Sequence, residues 1–463
     1  MTKNIRSFVD PMTFVRFIHV DATMLPPETW KKYDALTDAD FRAYFLENKF
    51  EFVDMDVEVH ELAHYWQGVA FPYIHWYAFM SLKIISEAIG ALANASSDYK
   101  QWSCQIPSLR RISQKQAIQI NNLNAFGEDG IRFEITELEL LECYTSLIQW
   151  QIITETSAFD AATFRRWLKR NPSYHSAYDV CCKVVKSEEI AIRLFLPLVR
   201  AAFRTSRPVE SFGLLLSYMN LDSSFFSTFI AQQEPCRWDE LFSHILTREV
   251  DLPDANMGDF DTAQNGLLDN ALGLTFGSSK LGHPILTPDT KRWLQEKESN
   301  EGFDGFLSSP RFATERNSRI HIQEIYPPST IIRIHSPNRS RNIFMTRGVN
   351  APSLDAHDYG EQIHSFLVFN GVIRRAAGLS LGSRLCSHQS CQHYRANFCN
   401  GYHLAPEDPK DCKFPLFLSN TIEQMNYQLS GTPKTPMLRE ESSWLKKNAG
   451  LLSKFLRGLR RMN

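Results

Sequence analysis

One segment, from about Asp54 to Ala70, constrains the fold of this chain more than any other. Its apolar residues recur at helical spacing and gather on one side of a helical wheel. The side chains of His60, Glu61 and His64 fall on the opposite side. The segment therefore predicts an amphipathic helix that buries one stripe and turns a His-Glu-His face toward a cleft.

The spacing of the two histidines suits a metal ion. Residues four apart are neighbours on a helix surface, so the rings of His60 and His64 can both reach one tetrahedral zinc ion. Glu61 stays near such an ion without having to bind it, and it can take a proton from a water molecule that the ion has made more acidic. Two other interpretations are a solvated polar face on an ordinary helix and one half of a carboxylate-bridged di-iron site, which uses Glu-x-x-His pairs.

The ten residues Val57–Trp66 (VEVHELAHYW) resemble the active-site helix of the zincin metallopeptidases. The family pattern is matched at Val57, Leu62, Ala63 and Tyr65. Glu58 departs from it, because that position is normally uncharged. The resemblance implies a zinc ion bound by His60 and His64, with Glu61 as the general base in the hydrolysis of a peptide bond.

The third zinc ligand distinguishes the branches of this family. The metzincin branch needs a histidine six residues after His64, where this chain has Ala70. The chain therefore resembles the gluzincin branch, in which a glutamate on a later helix completes the site. The candidates for that glutamate are Glu142 and Glu87. The open candidates for a group that stabilises the transition-state oxyanion are Tyr144, His175 and His75.

Glu142 is favoured as the third ligand because its neighbours on the predicted helix Glu137–Thr156 have structural roles. Thr136 and Glu139 fit a capping box, and Glu137 lies in the first turn, where a negative charge interacts favourably with the helix dipole. The polar stripe of this otherwise apolar helix consists of Glu142, Thr145, Ser146 and Gln149. We therefore expect Glu142 to bind the metal, with Glu87 as the alternative.

Four of the nine cysteines lie close together near the C-terminus, at Cys386, Cys391, Cys399 and Cys412. Four thiolates suit a closed tetrahedral zinc site that stabilises a small loop-rich unit. An iron–sulfur cluster and free buried thiols are the alternatives. An odd number of cysteines with one close group favours a reduced compartment over a disulfide framework. We therefore expect structural zinc and a cytoplasmic protein.

The end of the chain predicts a basic amphipathic helix. Its apolar side consists of Leu451, Leu452, Phe455, Leu456, Leu459 and Met462, and its basic side includes Lys454, Arg457, Arg460 and Arg461. Such a helix can contact an anionic membrane surface, nucleic acid or an acidic partner, or dock on the protein with its cationic face in solvent. The formal net charge of −2 gives no general attraction to any of these, and we expect no transmembrane segment.

These features predict an α+β protein that is mainly α. We expect residues 1–250 to form a zincin-like metallohydrolase domain, 251–319 a loop-rich linker, 320–430 a small mixed region with the cysteine zinc site, and 431–463 a linker with the basic helix. Further predicted strands lie at about Met12–Ala22 and within Ile320–Met345, and further helices at about Tyr73–Asn94, Ser176–Phe203 and Tyr359–Ala377.

The function expected from the sequence is that of a zinc metallopeptidase with a protein or peptide substrate. Two alternatives remain open. One is hydrolysis of another amide or an ester at the same site. The other is a metal-stabilised binding module that contacts nucleic acid or a partner protein through the cysteine cluster and the basic helix. Such a module does not need a carboxylate between its two histidines, so Glu61 favours catalysis.

The two expected metal sites predict how many metal ions the wild-type chain and two double variants should carry. Wild-type protein should carry close to two ions per chain by elemental analysis. Replacing Cys391 and Cys399 with Ser should remove one ion and open the chain to proteolysis after about Gly378, because a structural site contributes its binding free energy to folding. Replacing His60 and His64 should remove the other ion and leave the C-terminal region protected. A single ion in wild type, lost only with the cysteine pair, would contradict the His-Glu-His site.

Overall fold

Helices make up most of the described part of the chain. The computed structural model describes residues 7–9, 16–21, 25–48, 53–71, 73–74, 77, 115–120, 130–154, 161–168, 174–221, 238, 241–242, 244–246, 330–335 and 340–345. The helices are α1 (Pro27–Ala35), α2 (Asp38–Glu47), α3 (Met55–Ala70), α4 (Glu137–Thr154), α5 (Ala161–Leu168), α6 (Ser176–Val185), α7 (Glu188–Ala202) and α8 (Pro208–Leu221). The strands are β1 (Phe8–Val9), β2 (Arg16–Asp21), β3 (Gln116–Ile120), β4 (Ile131–Ile135), β5 (Thr330–His335) and β6 (Ser340–Met345). The mainly helical class is confirmed for this part of the chain.

The ends of α3 follow from its local sequence. The side chain of Asp54 accepts a hydrogen bond from the backbone N–H of Asp56 (2.9 Å), which caps the first turn. After Ala70, Phe71 is extended (φ −92°, ψ 113°), as favoured for a residue that precedes a proline. The apolar side of the helix is buried at Val59, Leu62 and Ala63. The helix predicted over Asp54–Ala70 is therefore confirmed, but its polar side is buried too, at His60 and Glu61.

A four-stranded sheet contacts α3, in the strand order β1-β2-β5-β6. The central pair is parallel, with Arg16 opposite Thr330 and Asp21 opposite His335, and the two outer pairs are antiparallel. One core joins the sheet to α1 and α2 through Ile18, Val20, Tyr33, Phe41, Phe45, Ile332 and Ile334. A strand from the expected region 320–430 thus pairs with a strand from residues 1–250.

A second core surrounds α4. Leu140, Tyr144, Leu147 and Ile148 of this helix are fully buried, in a cluster that includes residues of α3, α5, α6, α7 and α8. The antiparallel pair β3-β4 packs against α8, where a Cβ atom on Gly213 would approach the Cβ of Ile118 to 3.0 Å. Glycine at 213 therefore allows the helix to approach the strand closely. The result is that α4 is held on several sides.

The single helix predicted from Ser176 to Phe203 is wrong, because the structure has two helices there. The chain leaves α6 at Lys186, which is left-handed (φ 58°, ψ 16°) and donates its N–H to the carbonyl of Cys182 (2.9 Å). Ser187 then caps α7 by accepting a hydrogen bond from the N–H of Ile190 (3.3 Å). The serine followed by two glutamates is an N-terminal helix signal that the apolar periodicity on both sides concealed.

Several predicted features lie outside the described residues. They include Glu87, His75, most of the helix predicted over Tyr73–Asn94, the helix predicted over Tyr359–Ala377, the four clustered cysteines Cys386, Cys391, Cys399 and Cys412, and the basic C-terminal helix. In the part of the chain that the structure does describe, no helix has both the length and the apolar character needed to cross a membrane.

A buried ion pair joins the sheet to α3. The Arg16 guanidinium on β2 donates to the Glu58 carboxylate on α3 across 3.0 Å, and both side chains are only 5% exposed. Glu58 is the residue that departs from the zincin pattern. Because its charge meets a guanidinium from the neighbouring strand, an acid is accommodated at this inward position of the helix.

This pairing predicts an asymmetric mutational effect. Arg16→Met leaves the Glu58 carboxylate buried without its guanidinium and should lower the free energy of unfolding by about 3–5 kcal/mol. The double variant Arg16→Met/Glu58→Leu should lose less, because it buries no charge at either position. Denaturant unfolding of the three proteins measures both values. A double variant that is no more stable than the single one would contradict this account.

Candidate metal centre

The packing of α3 against α4 brings together the three residues expected to bind zinc. The Nε2 atoms of His60 and His64 on α3 lie 3.3 Å and 3.4 Å from the same oxygen, Oε2 of Glu142 on α4. The three potential ligand atoms all lie within 4.8 Å of one another. The side chains are 10%, 14% and 22% exposed in that order, so the group retains access to solvent.

The geometry and chemistry of this group fit a zinc ion. In a tetrahedral site with bonds of about 2.0–2.1 Å, neighbouring ligand atoms stand about 3.3 Å apart, which matches the two nitrogen–oxygen distances. Two imidazoles and one carboxylate are also a ligand set of catalytic zinc sites, which keep a fourth position open. Moreover, Oε2 of Glu142 is a buried atom, and its ion-pair partners are the two other potential ligand atoms, Nε2 of His60 and Nε2 of His64. A buried carboxylate that faces two imidazoles at these distances suits a cation shared by all three.

The three acids of α4 have three different environments. The capping box is confirmed: Glu139 accepts from the N–H of Thr136 (2.8 Å), whose hydroxyl accepts from the N–H of Glu139 (3.0 Å). Glu137 is fully buried and accepts hydrogen bonds from the Tyr73 hydroxyl (3.2 Å) and the Gln116 amide (3.5 Å). Only Glu142 of these three faces the histidines.

Four further residues surround the two imidazoles. Nδ1 of His60 lies 3.1 Å from Oε1 of Gln149, and Nδ1 of His64 lies 2.8 Å from Oε1 of Gln67 and 3.2 Å from the hydroxyl oxygen of Thr145. The ring of Tyr174 stacks on that of His60, with centroids 5.3 Å apart and planes at 26°. The two imidazoles meet edge to face, with centroids 4.8 Å apart.

Two of these four residues were expected near the site from the sequence, and two were not. Thr145 and Gln149 lie on the polar stripe predicted for α4, although that stripe assigned them no partner. Gln67 follows His64 by three residues, which is a neighbouring position on a helix and could have been noticed. Tyr174 lies far from both helices in sequence, and no local pattern connects it to His60.

Glu61 is a buried acid that interacts electrostatically with all three ligand residues. It is 3% exposed, and its Oε2 atom has no hydrogen-bond partner among the described residues. Burial raises the pKa of Glu61 to about 7, although the positive charges of His60 and His64 act in the opposite direction. In the absence of an ion, this carboxyl therefore exchanges a proton near neutral pH.

His64 and Glu142 form a charge pair in the absence of an ion. Burial alone would lower the pKa of His64, but the adjacent carboxylate of Glu142 raises it to about 9. Burial alone would raise the pKa of Glu142, but His64 and His60 hold it well below its usual range. The carboxylate is therefore ionised at neutral pH, which is the state that binds a cation.

The oxyanion candidates are separated by the structure. Tyr144 is fully buried with its ring packed edge to face against Phe71 at 5.3 Å, so it does not reach solvent. His175 follows Tyr174 directly and its Nδ1 lies 2.9 Å from a carboxylate oxygen of Asp179. His75 lies outside the described residues. The structure thus disfavours Tyr144 as the group that stabilises the oxyanion. His175 remains a candidate and is adjacent in sequence to Tyr174, whose ring stacks on that of His60.

The di-iron interpretation needs a second Glu-x-x-His pair. One occurs at Glu361–His364, outside the described residues, in addition to Glu61–His64. The sequence therefore keeps this interpretation open, and iron content separates it from the zinc interpretation because a di-iron site requires two iron ions.

The environments of the α4 acids predict different effects of mutation. Glu142→Ala should strongly lower the affinity of the His60–His64 site for zinc, because it removes the third ligand. Glu139→Ala should leave the zinc affinity unchanged and cost only a helix cap, on the order of 1 kcal/mol in unfolding free energy. Chelator competition and thermal unfolding measure the two quantities. Loss of zinc in Glu87→Ala but not in Glu142→Ala would show that the third ligand is Glu87.

Comparison with known proteins does not extend this description. No protein-family model, no curated protein and no solved structure matches the chain. The residues of the site and their chemistry are therefore the basis for assigning a function to this chain.

Proposed function

We propose that this protein is a zinc-dependent hydrolase that cleaves peptide bonds. The observation that carries this proposal is the convergence of His60, His64 and Glu142 on one point, with Glu61 buried beside them. The likeness of Val57–Trp66 to the zincin active-site helix supports a peptide substrate. The ligand set with an open position supports a catalytic role over a structural one.

The proposed roles divide between holding the ion and moving protons. His60, His64 and Glu142 hold the ion through Nε2, Nε2 and a carboxylate oxygen. Zinc, when bound, polarises a carbonyl group and makes water more acidic. Glu61 is the general base that takes a proton from the attacking water and then passes it to the nitrogen of the leaving amine.

The environment of Glu61 suits this proton transfer. In the absence of an ion, burial raises the pKa of Glu61 to about 7. The charge of a bound ion acts in the opposite direction and favours the ionised carboxylate. The carboxylate is thereby in the basic form before it meets the attacking water. A site that only bound metal would not need this buried acid, whose desolvation disfavours folding.

Two further proposals concern the C-terminal region, where the sequence predicts a cysteine cluster and a basic helix. We propose that Cys386, Cys391, Cys399 and Cys412 hold a structural zinc ion. The basic helix is the proposed contact for an anionic membrane surface, nucleic acid or an acidic partner. The metal-count experiment on the cysteine pair tests the first of these.

The proposed role of Glu61 predicts a selective loss of turnover. Glu61→Gln should keep zinc bound and the fold intact, yet slow peptide hydrolysis by about 100- to 10,000-fold, because only the base is removed. The matched control is Glu139→Gln, since glutamine also serves at that position of a capping box. Cleavage of a mixed peptide library, followed by mass spectrometry, measures both rates. Equal cleavage by wild type and Glu61→Gln would overturn the peptidase proposal.

A further inference from the structure

We propose that Gln149 and Gln67 are positioning residues that fix the tautomer and the orientation of both zinc-binding imidazoles. This inference rests on the proposed metal site, and it assigns a role to residues outside the ligand set. We refer to the two side chains together as the glutamine clamp.

The orientation of each amide follows from a backbone carbonyl. The Nε2 atom of Gln149 lies 2.8 Å from the carbonyl oxygen of Asp56, and that of Gln67 lies 2.9 Å from the carbonyl oxygen of Leu141. A carbonyl oxygen only accepts hydrogen bonds, so the amide nitrogen must face it in both cases. The amide oxygen of each glutamine then necessarily faces the imidazole.

The orientation of the amides determines the tautomer of the rings. An amide oxygen also only accepts, so Nδ1 of His60 must donate to Gln149 across 3.1 Å, and Nδ1 of His64 to Gln67 across 2.8 Å. Thr145 offers a second acceptor to His64 at 3.2 Å. A neutral imidazole with its proton on Nδ1 has a lone pair on Nε2. These are the two nitrogen atoms that face Glu142.

The clamp is rigid because both of its amides are buried between two packed helices. Gln67 and Gln149 are 2% and 8% exposed, and they come from α3 and α4 respectively. Each amide spans the contact between these helices and ends on a helix backbone. The ring of His60 is further restrained on its face by Tyr174. The two Nε2 atoms thus converge on Glu142 before an ion arrives.

The clamp also has a distinct electrostatic character. Histidine ligands commonly donate their second N–H to a carboxylate or a backbone carbonyl, and such partners typically contribute 10- to 100-fold to metal affinity. A glutamine fixes the ring without adding negative charge. The clamp therefore orients both ligands while Glu142 supplies the charge of the ligand set.

The test compares leucine and glutamate at each clamp position in the full-length protein. Leucine removes the acceptor for Nδ1. Glutamate keeps that acceptor but lacks the N–H group that binds the backbone carbonyl. A role in orienting the ring predicts loss of zinc affinity with leucine and retention with glutamate. A role limited to joining the helices predicts equal loss with both, because both lack the donor.

The measurement is the affinity of the site that His60→Ala abolishes, obtained by competition between the protein and a chromophoric chelator for Zn²⁺. Gln149→Leu and Gln67→Leu should each weaken binding by about 10- to 100-fold. Gln149→Glu and Gln67→Glu should bind zinc at least as tightly as wild type. The matched control is Gln151→Leu, a buried glutamine on the same helix as Gln149, which should keep the wild-type affinity. Unchanged affinity in the leucine variants, or equal losses with leucine and glutamate, would overturn the clamp.

A second measurement is independent of whether the variants fold. Nitrogen-15 spectra of zinc-loaded wild type should show both rings bound through Nε2, each with an Nδ1–H protected from exchange with solvent. Coordination through Nδ1 would overturn the clamp. Neither readout depends on turnover, so a protein that behaves in this way but cleaves no peptide would overturn the proposed function alone. A wild type that binds no zinc at these histidines would overturn both.

Discussion

The contact between α3 and α4 is the interaction on which the rest of the site depends. It brings the nitrogen atoms of His60 and His64 to the oxygen of Glu142, although the two helices are far apart in sequence. Apolar packing supplies the stability of this contact, since Val59 and Leu62 on α3 and Leu140 and Tyr144 on α4 belong to one buried cluster. A change that separated the helices would disperse the ligands and break both bonds of the clamp to the backbone.

Burying polar groups in the contact between α3 and α4 costs free energy, and this cost explains why most of them meet a partner. A buried acid or amide is tolerated when it meets a partner, and most of those in this region do so. Glu58 meets Arg16, and Glu137 meets Tyr73 and Gln116. Glu142 instead faces the imidazoles of His60 and His64, and Glu61 is 3% exposed, with its pKa raised to about 7 by burial. Acids that disfavour folding in this way are expected at functional sites, where proteins depart from the rules that specify a stable core.

Local signals allowed the two site helices to be predicted from the sequence. The period of the apolar residues defined α3, and the capping box at Thr136 and Glu139 defined the start of α4. The same box directed attention to Glu142, because it assigned a structural role to the neighbouring acid. These signals are short-range, and they survive because the tertiary structure does not oppose them.

What could not be predicted depends on contacts between distant segments. The parallel pairing of β2 with β5 joins strands more than 300 residues apart. The sequence of neither strand indicates which strand it pairs with. The stacking of Tyr174 on His60 is of the same kind. The break at Lys186 was missed for a local reason, because the helix-start signal at Ser187 lies between two apolar helical patterns.

The account is tested most directly by X-ray absorption at the zinc edge. The sample is the chain with Cys391 and Cys399 replaced by Ser, loaded with one equivalent of Zn²⁺. These substitutions remove the sulfur signal expected from the cysteine site. The account predicts a first shell of two imidazoles and oxygen at about 2.0–2.1 Å, which His60→Ala destroys. A shell without imidazole, or a chain that retains no zinc, would contradict the central claim that His60, His64 and Glu142 form a zinc site.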